Sequence, residues 1–237
     1  MAQRVPPHLY FVTSAIFHYL GPAFAVLLFA RVGVLGVAWL RIAAAAAIFA
    51  AWRRPWRATA ALDSDGRRLL WQWGAVLAVM NACFYIAIDR LPLGTVAAIE
   101  FLPVIALAAF GTRTARNAMA LLLAVVGVYL LTDVQLVAEP LGIAFAFANA
   151  ALFSAYIVLA HRASRFPGIN GIDGLGASML IAAVAITPIG GWQVLPAVTD
   201  PVALAAGVGV GISSSVIPYV TDQTSSRCGV WHGPPTR

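Results

Sequence analysis

Long apolar runs alternate with short polar segments marked by Gly, Pro and Arg along almost the whole chain. Several runs reach the roughly 18–20 residues that an α-helix needs to cross a bilayer, and they lack the period-two alternation of outer-membrane strands. Eight helical spans are predicted: Leu9–Ala30, Val34–Trp52, Leu69–Ile88, Leu93–Phe110, Ala115–Leu131, Leu141–Ala160, Leu175–Leu195 and Val202–Val220. Each boundary is set to within about 2–4 residues. The first run is longer than the roughly 7–15 residues of a signal core and lacks a clean small-residue cleavage site, so it reads as a permanent span. The fold class is therefore an all-α integral membrane protein.

Composition agrees: 61% of the 237 residues are hydrophobic and 10% are charged, the signature of a membrane chain. The 15 basic residues are all Arg. With a cytoplasmic amino terminus, the inside segments hold Arg4; Arg53, Arg54, Arg57, Arg67 and Arg68; Arg113 and Arg116; Arg162 and Arg165; and Arg227 and Arg237. Arg31 and Arg90 alone fall outside, beside Asp89, Asp133, Glu139 and Asp200. The positive-inside rule then places both termini in the cytoplasm. The net charge of +6 is spread over short loops rather than gathered on one stripe, which favours lipid headgroups over nucleic acid as partners. Cys83 and Cys228 lie in different environments, and neither forms a metal-ligand spacing with a histidine. No cofactor or metal is expected, and the short loops leave no room for a catalytic domain.

Polar residues inside the spans carry the candidate chemistry. Arg41 lies seven residues past Val34 and Glu100 seven past Leu93, on spans running inward; Asn81 lies seven before Ile88 and Asn149 eight past Leu141. At 1.5 Å per residue all four sit about 10–12 Å below the outer boundary, in one layer. A charge in hydrocarbon costs about 2.5–3.5 kcal/mol on insertion scales, so Glu100 and Arg41 are expected to face a partner, water or a cavity. Two readings stand: a buried pair that fixes helix register, or a substrate and proton site. Pro103 favours the second, because it frees the carbonyl of Ile99 beside the carboxylate, and irregular backbone at depth is tolerated where it lines a cavity. Tyr85, one turn beyond Asn81, and Tyr156, two turns beyond Asn149, are candidates to line the same space, as are His18 and Tyr19 on the first span. Gly207, Gly209 and Gly211 are expected to permit close helix packing. The run "GISSSV" lacks a convincingly placed base, which argues against an intramembrane serine protease and against an enzyme altogether.

The stretch "MNACFYIAIDRLPLGTVAAIEFLPVIALAAFGTRTAR" resembles EamA-type carriers of the drug/metabolite transporter superfamily, and within them the inner-membrane threonine/homoserine exporter group. The likeness rests on the order Asn81, Phe84-Tyr85, Pro92-Leu93-Gly94, Glu100-Phe101 and Pro103 with basic residues after the span, and on Arg41 within "GVLGVAWLRIAAAAAIF". It implies a ten-helix fold of two inverted five-helix repeats around a central cavity, working by alternating access in the bacterial cytoplasmic membrane. Residues 1–132 would form the first repeat, 133–223 three helices of the second, and 224–237 an aberrant polar tail where the group's pattern stops, making the chain a truncated form of that fold. A truncated chain would leave cavity-facing surface against lipid and is expected to be unstable or inactive unless a partner supplies the remaining spans.

The function implied is export of small polar metabolites, amino acids such as threonine or homoserine, with Glu100 binding the substrate ammonium or exchanging a proton. Arg41 would hold Glu100 ionised or meet the substrate carboxylate. The alternatives are broad drug or metabolite efflux and a non-transporting membrane scaffold. Expected partners are a small-molecule substrate and the lipid bilayer; assembly into a homo-oligomer stays open.

Overall fold

The computed structural model describes residues 20–111, 139–195 and 200–216, together with the single positions 16, 118, 119, 122, 123 and 126. Among these the regular structure is entirely helical: α1 (residues 20–26), α2 (Val34–Arg53), α3 (Pro55–Ala60), α4 (Ser64–Arg90), α5 (Leu93–Gly111), α6 (Pro140–Arg165), α7 (Gly171–Gly190), continued by a 3-10 turn at Gly191–Val194, and α8 (Pro201–Gly211), continued by a π-helical turn at Ile212–Val216. Four segments are long and apolar enough to cross a bilayer: Val34–Arg53, Ser64–Arg90, Pro140–Arg165 and Gly171–Val194. The expected fifth span and the tail at 224–237 fall largely or wholly outside the described residues. So do His18 and Tyr19.

Local sequence explains where the helices begin. Asp63 accepts a 2.8 Å hydrogen bond from the Gly66 amide and opens α4; Glu139 accepts one of 3.1 Å from Gly142 and opens α6 with Pro140 behind it. Asn170 and Asp200 cap α7 and α8 in the same way, Asp200 with Pro201 as the first helical residue. Each cap satisfies amides that the first helical turn leaves orphaned, and proline at the first position gives up no needed donor. α2 stops where Arg54 enters the left-handed region (φ 48°), one residue before Pro55. That junction starts α3, a short helix inside what the sequence pattern reads as a plain loop. A second difference lies in the first span, where the helix ends at residue 26 and the chain descends to Ala30 in tight turns such as Leu28 N–H to Ala25 O at 2.9 Å. α5 runs unbroken through Pro103.

α4 is the centre of the bundle: it packs extensively against α6 and α7 and also against α2, while α2 in turn packs against α7 and α8, and α5 lies chiefly on α6. Small residues make these approaches close. A methyl group at Gly74 of α4 would lie 2.7 Å from Ile181 and 2.8 Å from the Ser178 carbonyl of α7, and one at Gly190 would meet the Leu35 carbonyl of α2. Gly207 and Gly211 seat α8 on Leu40, Arg41 and Ala44 of α2, as the glycine pattern predicts, but Gly209 faces open space and takes no part. Between apolar helices in lipid, association depends on such van der Waals contact because burial from water contributes nothing further.

Among the described residues three ion pairs tie helix ends and the turns beside them: Arg53 to Asp173 at 2.8 Å, Arg31 to Asp200 at 2.9 Å and Arg90 to Glu139 at 3.3 Å. Exposed pairs contribute little each, but the Arg31–Asp200 clamp is titratable. The Ala203 amide and the Arg31 guanidinium hold the Asp200 carboxyl below its usual range. A carboxylate with a depressed folded pKa stabilises above its unfolded value of about 3.9, and that contribution is lost as pH falls through the folded value. Asp200→Asn is therefore expected to lower the thermal midpoint slightly at neutral pH, with the gap to wild type closing as pH falls through the lowered pKa of Asp200. A gap that stays constant across the titration would show that the charge has no part in it.

Candidate functional site

Arg41 from α2, Asn81 from α4, Glu100 from α5 and Asn149 from α6 line one small buried cavity, together with Pro22, Met80, Phe84 and Phe153. The four polar residues are buried, at 5%, 4%, 4% and 0% exposure respectively. They arrive at one level because Arg41, Glu100 and Asn149 sit about two to two and a half turns past the starts of α2, α5 and α6, and Asn81 a similar distance before the end of α4, which runs the opposite way. The sequence-derived layer is thus a real convergence in three dimensions, although α2 and α5 are brought to it by way of α4 and α6.

The polar groups are partnered unevenly. Asn149 Nδ2 donates a 3.2 Å hydrogen bond to Glu100 Oε1. A carboxylate can only accept, so this bond fixes the amide and leaves Asn149 Oδ1 as an acceptor; that atom is buried with no hydrogen-bond partner. Asn81 turns its Nδ2 to the Leu77 carbonyl of its own helix at 2.8 Å. Arg41 donates from Nε to Ser215 Oγ at 3.0 Å and from a terminal nitrogen to the Ser214 carbonyl at 3.1 Å. Its guanidinium also stands 5.9 Å from the centroid of the Tyr85 ring. Of the two roles the sequence leaves open for Arg41, direct pairing with Glu100 is not where its described hydrogen bonds go.

Ser214 and Ser215 were legible as polar residues in an apolar span, yet their partner was not. The π-helical turn Ile212–Val216 turns the Ser214 carbonyl and the Ser215 hydroxyl toward Arg41, and such turns often mark functional positions within helices. Tyr85 is fully buried, packs edge-on against Phe84 (5.7 Å) and Phe29 (6.1 Å), and its hydroxyl has no hydrogen-bond partner. It adjoins the cavity through Arg41 and Phe84. Tyr156 instead stacks on Phe153 and lies against Trp73, one layer behind the cavity wall. No group of three or more His, Cys, Asp or Glu is placed to hold a metal ion among the described residues.

The cavity measures about 20 Å³, room for roughly one water. A much larger vestibule of about 840 Å³ opens toward the Arg90 end, with Leu35, Ile86, Asp89, Phe145 and Gln193 in its walls. Ile86 is five residues from Asn81 and Phe145 four from Asn149, so the vestibule lies about 6–8 Å along the helices from the polar layer. Chemically the arrangement offers an anionic and a cationic group on one desolvated space, with an amide oxygen as a further acceptor.

Over 203 residues, 84% of this chain, the sequence is 34% identical to the threonine/homoserine exporter RhtA of Escherichia coli (strain K12) and 33% identical to that of Salmonella typhimurium (strain LT2). The match covers 67% of each relative's length. No family model and no solved structure matches the chain.

Proposed function

The chain belongs to the family of the threonine/homoserine exporter RhtA, and from that membership we propose that it exports small polar amino acids such as threonine and homoserine across the inner membrane. The observation that carries this reading is the meeting of Arg41, Asn81, Glu100 and Asn149, from four helices, on one buried cavity. An amino-acid zwitterion presents an ammonium and a carboxylate a few ångströms apart. Glu100 and the free Asn149 Oδ1 form an acceptor pair for the ammonium, and Arg41 supplies the donor for the carboxylate by releasing Ser215. A buried carboxylate that is alternately bound to ammonium and to a proton gives a route to proton-coupled exchange.

Alternating access supplies the movement. The cavity is too small for an amino acid, so substrate enters only when helices separate on one side, which makes the geometry that of a closed intermediate. The Arg41 guanidinium on the cavity wall suits a zwitterion, whose carboxylate it can meet, better than a lipophilic cation, which it repels. Likeness to EamA-type carriers extends the proposal to a pair of inverted repeats with the amino terminus in the cytoplasm.

Cells loaded with threonine, homoserine or a lipophilic cation and expressing this chain test the reading. Faster efflux of the two amino acids, with cation tolerance unchanged, is the expected result; efflux of neither would match the expectation that the chain transports only when a partner supplies further spans. Cation tolerance without amino-acid efflux would transfer the protein to the drug-efflux reading.

A further inference from the structure

A second open space lies at the opposite end of α4 from the vestibule. Where Gly74 brings α4 onto α7 the helices touch, but toward the start of α4 a groove of about 320 Å³ opens between α3, α4 and α7. Leu70, Leu180 and Ile181 form its apolar part, Trp56 and Trp71 stand at its sides, and Arg67 lies at its edge. Trp56 and Trp71 are 51% and 59% exposed, the placement of indole rings at the headgroup level of a bilayer.

Charge around the groove is in positive excess. Along this part of the described chain Arg53, Arg54, Arg57, Arg67 and Arg68 stand against three acids, Asp63, Asp65 and Asp173. Of these acids, Asp173 is taken by Arg53 and Asp63 accepts the Gly66 amide. No described ion pair involves Arg57, Arg67 or Arg68. The Thr59 hydroxyl is also spent, on the Trp56 carbonyl at 3.0 Å, which leaves the guanidinium of Arg67 as the polar group facing a ligand.

We propose that this groove holds one anionic phospholipid, its acyl chain along Leu70, Leu180 and Ile181 and its phosphate on Arg67. A free anion would use the guanidinium but leave the apolar walls unmatched; a zwitterionic lipid would fill the walls but bring its own cation to a surface already rich in arginine. Basic pockets between transmembrane helices recognise acidic headgroups through this combination. The site is separate from the central cavity, so lipid binding stands or falls independently of amino-acid export.

Native mass spectrometry of the full chain, titrated with phosphatidylglycerol and with phosphatidylcholine, tests the proposal. One phosphatidylglycerol is expected to be retained at least about fivefold more tightly than phosphatidylcholine, and Arg67→Gln to weaken it about fivefold, the usual effect of one arginine at a membrane surface. Arg31→Gln, at the other surface, is expected to leave retention unchanged. Leu180→Trp fills the groove without altering charge and should displace the lipid even if Arg67→Gln fails to fold. Equal retention of the two lipids, undiminished retention by Leu180→Trp, or full displacement by millimolar inorganic phosphate would each overturn the assignment. So would cross-links from Trp56 or Leu180 to another segment of the chain.

Discussion

Glu100→Gln is expected to cut amino-acid efflux roughly tenfold to a hundredfold while the protein stays folded. Glutamine is close to the same shape and its side-chain oxygen can still accept from Asn149 Nδ2, so the contact between α5 and α6 survives. What disappears is the negative charge. Hydrogen bonds to a charged group contribute about 1.5–3 kcal/mol, which sets the size of the loss when the substrate ammonium no longer finds a carboxylate. Because the neutral side chain keeps the contact with Asn149, the thermal midpoint is expected to hold. Efflux at the wild-type rate would take Glu100 out of the mechanism. A collapse of the thermal midpoint alongside efflux would instead assign Glu100 to holding the helices in register.

The second large effect is structural, and it comes from comparing the same substitution at two glycines. Gly74→Ala places a methyl group 2.7 Å from Ile181 and 2.8 Å from the Ser178 carbonyl, and a backbone oxygen inside a packed helix cannot step aside. Overpacking of this kind costs about 1–3 kcal/mol, a fall in the thermal midpoint on the order of 2–12 °C for a chain of this size. The packing it disturbs joins α4 to α7, close to the Leu77 turn that holds Asn81, so efflux should fall with stability. Gly209→Ala meets nothing within 4 Å and removes only the excess freedom of glycine, which gives a gain of about 0.4–1 kcal/mol. Thermal unfolding in detergent separates the two. Equal shifts at both positions would refute the packing argument.

Much of the path to the site was legible in the chain itself. Span length, the arginine-rich segments and the depth of Arg41, Asn81, Glu100 and Asn149 follow from hydropathy and a fixed helical rise. These quantities belong to one helix at a time, so no tertiary information is needed to obtain them. The residues of the cavity that carry no charge, such as Pro22, Met80 and Phe153, gave no such signal, because an apolar side chain looks the same whether it faces lipid or a cavity.

Partner choice was different in kind. Arg41 could have met Glu100 on depth alone; it meets Ser214 and Ser215 because α8 packs on α2 through Gly207 and Gly211 and a π-helical turn aims the serines inward. Tyr156 shared a face with Asn149 on paper but packs behind the cavity on Trp73, since rotation of a helix about its axis is set by its neighbours. The helix at Pro55–Ala60 was hidden in a polar segment for the same reason: a six-residue helix is too short to be stable by itself and is held in place by its contacts with α7. The sequence by itself determined the class of molecule, the lengths of its spans and the level at which its charges lie, all of which follow from the thickness and polarity of the bilayer. Which helix touches which, and so which atoms Glu100 and Arg41 address, was decided only by tertiary packing, because in lipid that choice depends on the shapes of small residues many positions apart.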